Sequence, residues 1–439
     1  MIDRGRLRAL LATSAPLRWR GRVTEASPVH VRATAAGARL GEVVEIEVGP
    51  GAPIRAEAAT VRGRHAWLVP LGDPAGIAPG APVRPTGRRL EVRAGAALLG
   101  RVLDGLGQPI DGRPLPRGLA AWDVDRAPPP PLERQRLARP FPSGVRSVDA
   151  FCTLAEGQRI GLLAGPGVGK SSLLGLLARH GVADACVVGL VGERGREIRE
   201  VVDDVLGPEG MARSVVVAAA SDSPAIVRMR AAQVATALAE WFARVEGRRV
   251  LLLLDSLTRY ARAVREVGLA LGEPPVRQGF PARVFAELPR LLERAGAGPG
   301  GPITAVYTVL SAGDDAEDPL TAELRGLLDG HVVLDRRLAE AGRFPAVDVL
   351  SSLSRAMPAV AAPGHVAAAA VVRRWLGAWE AHRDLVAAGA WRPGADPVLD
   401  EALARRPAIE AFLRQGPGER STLGEAVEGL ARIAAGAGA

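Results

Sequence analysis

The sequence predicts an α/β protein: a parallel-sheet core preceded by a small β-barrel and followed by a helical domain. Three observations predict it. Between residues 158 and 310, continuous apolar runs alternate with helical stretches, the pattern of strands buried on both faces of a parallel sheet. Residues 21–86 carry short β-rich runs separated by Gly and Pro, as a small barrel does. After Pro363 the chain turns Ala-rich and helical, with no strand signal. At 439 residues the chain exceeds the usual single domain. The expected division is a basic segment 1–20, a barrel 21–86, a core 87–362 and a helical domain 363–439.

Composition narrows the class. Hydrophobic residues make up 48% and charged residues 24%, which is globular and not disordered. Two cysteines, Cys152 and Cys186, make neither a disulfide framework nor a four-ligand zinc site, and a reduced, cytoplasmic setting fits them. No apolar run reaches the 18 residues of a transmembrane helix, and no signal peptide is evident at the N-terminus. The net charge of +8 raises nucleic acid or an anionic membrane as partners. Much of the excess sits early: Arg4, Arg6, Arg8, Arg18, Arg20 and Arg22 face only Asp3. That stretch reads either as a docking segment for an acidic partner or lipid head groups, or as a solvated terminus.

The elements follow in order. Gly21–Thr24, Val29–Arg32, Gly41–Val48 and His65–Val69 are the barrel strands. Gly87–Arg93 opens a different region, and Ala127–Pro131 is a polyproline-like connector. Strands are expected at 158–164, 185–191, 214–220, 249–255 and 303–310, with helices after 170 and at 195–206 and 224–246. There is no internal repeat.

The chemistry concentrates at the first of those strands. It runs into Gly165-Pro166-Gly167-Val168-Gly169-Lys170-Ser171-Ser172 and then a helix. This approximates the phosphate-loop pattern G-x-x-x-x-G-K-[ST], with Ala164 in place of the first glycine. The glycines let successive N–H groups turn inward on an anion, and the helix adds its positive end. Lys170 would reach the terminal phosphates of a nucleotide, and Ser171 would place a hydroxyl on Mg²⁺. Of 56 basic residues, Lys170 is the one lysine, so 55 are arginine. Lysine persists where a compact ammonium is needed and a planar fork does not fit. The apolar strand ending at Asp255 carries a carboxylate to the sheet edge, where it can hold the magnesium shell. Glu193 ends the strand 185–191, a candidate neighbour of the phosphate-loop strand, and would then face the γ-phosphate. Spacing alone leaves the Glu193–Arg194 pair equally readable as a surface salt bridge.

Together these stretches resemble the ATPases of type III protein secretion, the ring motors of injectisomes and flagellar export, relatives of the rotary ATP synthase catalytic beta subunit. The resemblance rests on Leu99–Gly112, Gly144–Asp149, Glu156–Gly161, the phosphate loop, Val191–Arg199, Ala212–Val217, Asp255–Arg259, Gly272–Pro275, Asp329–Leu334 and Phe344–Asp348 through Ser354-Arg355. It covers roughly residues 21–365, and Ala164 is what secretion ATPases tend to show at that position.

The resemblance implies a RecA-like P-loop core and Mg²⁺-dependent ATP hydrolysis. It implies that Glu193 positions the attacking water with Arg194 beside it, and that Arg259 lies near the γ-phosphate. Arg355 would be the arginine finger inserted into the neighbouring subunit's site. Phe344 would stack on adenine, with Phe412 as a second wall. The implied partners are identical subunits in a homohexamer, stalk and stator proteins of an export apparatus, secretion substrates and their chaperones, but no nucleic acid. The implied place is the cytoplasmic face of the bacterial inner membrane, as a peripheral protein. Two departures stand out: Ser311–Pro319 alters the family's acidic loop, and residues 1–20 match nothing clearly.

Three other readings share parts of the pattern. A rotary synthase or proton-pump subunit shares the core. An RNA-translocating hexameric helicase needs stacking aromatics in its barrel, where residues 21–86 offer only Trp67. A non-hydrolysing ring subunit should lack Glu193.

Overall fold

A computed structural model describes residues 21–34, 37–49, 51–310 and 318–435. The basic segment 1–20 and most of the acidic loop, 311–317, therefore lie outside the described residues.

The first unit is a closed antiparallel barrel of β1 (Gly21–Ala26), β2 (Val31–Thr34), β3 (Val43–Ile46), β4 (Ile54–Arg62), β5 (His65–Pro70) and β6 (Pro82–Pro85), in the order β1-β2-β5-β4-β3-β6. Its interior is filled by small and β-branched side chains, among them Val31, Val44, Ala56, Ala58 and Val83, all fully buried. β4 and β6 escape the sequence reading. Alanine has low strand propensity, and β6 is bounded by prolines, which sequence reasoning demotes from strands.

The core is an eight-stranded sheet. Its strands are β7 (Arg101–Asp104), β8 (Arg159–Ala164), β9 (Ala185–Glu193), β10 (Ser214–Ala220), β11 (Val250–Asp255), β12 (Ile303–Leu310), β13 (Gly330–Leu334) and β14 (Val347–Ser354). The spatial order is β14-β13-β8-β12-β11-β9-β10-β7. Side chains alternate between faces with period two. Leu252 and Leu254 join the core on one face, and Leu251 and Leu253 join the core on the other. Burying one such leucine contributes about 1.5–3 kcal/mol. On the first face lie α3 (Ala225–Glu246) and α4 (Leu257–Ala270), and on the second α1 (Lys170–His180).

Three expectations are corrected. β9 is not the neighbour of β8: β12 and β11 lie between them. Chain succession misleads here because the late strand β12 inserts between β8 and β11, pairing in parallel with both. The sheet is also not wholly parallel, since β14 runs antiparallel to β13 at one edge. The helix expected over 195–206 is α2 (Gly195–Glu200), followed by a π-helical turn Val201–Leu206 and a further helix Gly207–Ala212. Gly207 takes φ 60 at that junction.

The C-terminal unit packs α5 (Pro363–Ala387), α6 (Pro397–Leu413) and α7 (Leu423–Ala435) together. Gln415 ties it to the core: its backbone N–H donates to Phe344 O at 2.9 Å and its Nε2 to Gly144 O at 2.8 Å. The barrel is tied by charge. Arg230 of α3 is 3% exposed, and it donates through Nε to Glu57 of β4 at 2.9 Å and through Nη1 to Asp125 at 2.5 Å. No helix among the described residues is long and apolar enough to cross a membrane.

Candidate nucleotide site

β8 delivers the buried Leu163 and Ala164 to the sheet edge, and the chain then turns through Gly165 and Pro166. Val168, 2% exposed, anchors the loop to the core. Gly167 and Gly169 adopt φ 78 and 89, a left-handed conformation that glycine reaches without Cβ strain. Gly169 is the N-cap of α1 and offers no side chain to its N–H groups. Those donors point outward at the positive end of the helix, a ready anion cradle. Ser171 and Ser172 are exposed in its first turn.

A cleft of about 420 Å³ opens at this loop. Lys170 Nζ lies 2.7 Å from Asp255 Oδ1 and 3.7 Å from Glu193 Oε1. Asp255 ends β11, and Thr308 of the adjoining β12 donates its hydroxyl to Asp255 Oδ1 at 2.7 Å. Arg259 enters from the first turn of α4, which Ser256 caps by accepting the Arg259 backbone N–H at 3.3 Å. The Arg259 guanidinium donates to Gly192 O and pairs with Glu193 Oε2 at 3.1 Å. Gly192 has φ 68, and a Cβ there would lie 3.4 Å from Arg259 Cδ, so the glycine admits the arginine.

Glu193 is 5% exposed. Burial pushes its carboxyl up to about 7; a hydrogen bond shared with Glu197 and the charge of Asp255 push the same way, while Lys170 and Arg259 oppose them. The shared hydrogen bond holds Glu197 below the usual carboxylate range. Glu193 Oε1 is buried without a hydrogen-bond partner, and the Lys170 ammonium neighbours it at 3.7 Å. Such an atom in a closed site is suited to hold a water.

The remaining sequence candidates divide. Arg194 is on the cleft wall but points outward, its side chain 75% exposed and paired with Glu197 at 3.0 Å. Phe344 is half-exposed, and its ring comes within 3.4 Å of where a Cβ on Gly169 would stand. Phe412 turns elsewhere. Its ring abuts Gly429 of α7, and the Arg146 guanidinium lies 5.8 Å from the ring centroid.

Arg355 is exposed, and among the described residues its guanidinium has no hydrogen-bond or ion-pair partner. The antiparallel turn of β14 fixes its place. Ser354 pairs with Gly330, and the Arg355 N–H donates to Asp329 O at 3.0 Å. Asp329 in turn accepts the N–H of Arg159, the first residue of β8. Arg355 thus sits level with the start of β8, and the phosphate loop leaves from its end. Five residues of strand separate the two levels, about 17 Å at ~3.3 Å per residue, longer than an arginine side chain can span.

Sequence reasoning missed several contributors. Thr308 is visible only once β12 is known to flank β11. Glu197 lies on α2, and its nearness to Glu193 at the end of β9 comes from the strand-to-helix turn, which spacing in the sequence does not reveal. Glu200, Val201 and Val205, from α2 and the π turn, complete one wall.

The donor set fits a hard cation. The Ser171 hydroxyl and the Asp255 carboxylate are oxygen ligands of the kind Mg²⁺ takes. Among the described residues no group of three or more His, Cys, Asp or Glu could hold an ion. A cation here would therefore complete its shell with oxygens of a bound phosphate.

Known proteins resemble this chain over most of its length. Residues 144–354 match the nucleotide-binding domain of the ATP synthase alpha/beta family, and residues 28–87 match its beta-barrel domain. Residues 361–432 match the C-terminal domain of the type III secretion ATPase EscN. The chain is 47% identical to the type 3 secretion system ATPase of Xanthomonas euvesicatoria, covering 96% of each chain. It is 45% identical to the flagellum-specific ATP synthase of Salmonella typhimurium, covering 96% of this chain and 95% of that one. Among solved structures it resembles the assembled ATPase EscN of the enteropathogenic E. coli type III secretion system, with TM-score 0.88 and 40% identity over 94% of this chain and all of that one. The complex of EscN with its central stalk EscO matches with TM-score 0.87 over the same share of both chains.

Proposed function

Because this chain belongs to the ATP synthase alpha/beta family, among the type III secretion and flagellar export ATPases, we propose that it hydrolyses ATP to drive protein export, and that the cleft at Gly165–Ser172 is where it does so. The observation that carries the assignment is the convergence of Lys170, Glu193, Asp255 and Arg259 on one phosphate loop.

The steps follow from the residues. The N–H groups after Gly169 and the Lys170 ammonium hold the β- and γ-phosphates. ATP draws Lys170 away from Asp255, which frees that carboxylate. Ser171 and Asp255 would then hold Mg²⁺, whose charge offsets that of the phosphates. Glu193, as carboxylate, accepts a hydrogen bond from a water and holds it in line with the γ-phosphorus. Arg259 fixes Glu193 and lies beside the departing phosphate. Arg194 pairs with Glu197 beside Glu193. Phe344 stacks on adenine, whereas Phe412 is engaged with Gly429 and Arg146. The products are ADP and phosphate.

Arg355 completes the site of a neighbouring copy. Its position on the far sheet edge, exposed and unpaired, supports a finger acting between subunits. One chain carries both halves of an interface, which favours a homo-oligomer, a hexamer by resemblance. The export setting we assign is that of the relatives: a ring on the cytoplasmic face of the bacterial inner membrane, turning against stalk and stator proteins and releasing, unfolding and passing on substrates delivered by chaperones. The barrel, core and helical units keep the boundaries 21–86, 87–362 and 363–439 in this proposal. The match of residues 361–432 to the EscN C-terminal domain favours export over a rotary synthase.

The test is Lys170→Ala. Calorimetry should show loss of ATP and ADP binding with the fold intact by circular dichroism. Retained tight nucleotide binding would refute the site.

A further inference from the structure

A cavity larger than the nucleotide cleft lies elsewhere among the described residues. About 560 Å³ opens at the seam where the core edge, Asp335 to Ser351, meets α5 and α6. It has no lining residue in common with the phosphate-loop cleft. Its floor is apolar, made by Leu338, Val349, Leu376 and Trp379. Its rim is cationic.

The charges do not cancel there. Arg337 pairs with Asp335 at 3.2 Å and Glu380 at 3.1 Å, and Arg383 takes the same Glu380 at 2.9 Å. Asp348 is occupied by the N–H groups of Leu350 and Ser351 and by the Ser351 hydroxyl. Arg406 stacks on Trp379, 3.9 Å from the ring centroid. Neither Arg406 nor Arg414 has a carboxylate partner among the described residues. Deepest is Arg343, 6% exposed. Its Nη1 reaches Glu410 at 3.3 Å and its Nη2 reaches Val347 O at 3.1 Å, yet its Nε is buried with no partner at all. The complement of guanidinium groups such as Arg406 and Arg414, which line a cavity without carboxylate partners among the described residues, is an oxyanion. Size, apolar floor and few convergent polar groups are those of a small-molecule site.

We propose that this seam is a second ligand site, taking a small organic oxyanion: an apolar or aromatic body on the Trp379 floor and a carboxylate or phosphate between Arg343, Arg406 and Arg414. The site is wired to the nucleotide cleft. Arg343 precedes Phe344, whose ring lies over Gly169, and Arg414 precedes Gln415, whose N–H holds the Phe344 carbonyl. A ligand that shifts these two segments changes nucleotide affinity, and nucleotide changes its affinity by the same factor.

The test uses the full chain with its nucleotide cleft saturated by ADP. Calorimetry measures 2-naphthyl phosphate and 2-naphthoate as probes, with inorganic phosphate and 2-naphthol as controls. One probe molecule should bind per chain, and both controls should bind about tenfold more weakly or worse. Arg406→Gln and Arg414→Gln, at exposed positions, should each weaken the probe about tenfold. Preference between the two probes identifies the headgroup. The proposal is overturned if neither probe binds, if 2-naphthol binds as well, or if the two arginine variants bind the probes like the parent chain.

Discussion

Removing the Arg355 guanidinium should uncouple nucleotide binding from turnover. In Arg355→Ala the fold is spared: the side chain is exposed and without an intrachain partner, so stability should move by no more than about 0.5 kcal/mol. Its own phosphate loop is about 17 Å away along β8, so ATP affinity in an isolated chain should also be unchanged. Turnover in assembled rings should fall by about 10³–10⁵, the range for arginine fingers, or about 4–7 kcal/mol of transition-state stabilisation. The decisive assay is co-assembly with Glu193→Gln. Each variant alone is inactive. In a mixed ring about one interface in four joins the intact Glu193 of one variant to the intact Arg355 of the other, because the contact is head-to-tail. Activity should return to roughly that fraction of the parent rate. Mixed rings as inactive as either variant alone, or normal turnover by Arg355→Ala itself, would refute the argument from strand register.

Two further outcomes follow from the geometry. Glu193 must be ionised to accept a proton, and burial holds its carboxyl up near 7; kcat/KM should therefore rise with pH through about 7, and loss of that inflection in Glu193→Gln would tie it to this group. Arg230→Met leaves Glu57 and Asp125 without their shared cation, which should cost about 3–5 kcal/mol and loosen the barrel first; thermal melting and hydrogen exchange read both, and an unchanged melting temperature would show the clamp to be inert.

Much of this protein was legible in its sequence because function leaves short, local signatures. The phosphate loop is one contiguous stretch, and Asp255 and Glu193 end strands that read as apolar runs. The strands 214–220 and 303–310 were placed as the structure has them. What the sequence hid depends on spatial order. Periodicity reports burial but not which strand lies beside which, so the separation of β8 from β9 and the contribution of Thr308 stayed invisible. The reversal of β14 was hidden in the same way, and with it the reason that Arg355 cannot serve its own chain. The barrel strand β4 was hidden by its alanines, which bury well but do not announce a strand. The role of Arg343 was out of reach, since one arginine among 55 acquires meaning only from what surrounds it.

The chain's solitary lysine has a practical corollary. Its side-chain amine is held against Asp255, 15% exposed, inside the phosphate-loop cleft. Reagents or enzymes that acylate side-chain amines have one address on this molecule, and bound nucleotide shields it. Acylation read on the peptide that carries Lys170 thus reports how many clefts stand open, and a single acetyl group placed there would silence a subunit without touching any other side chain.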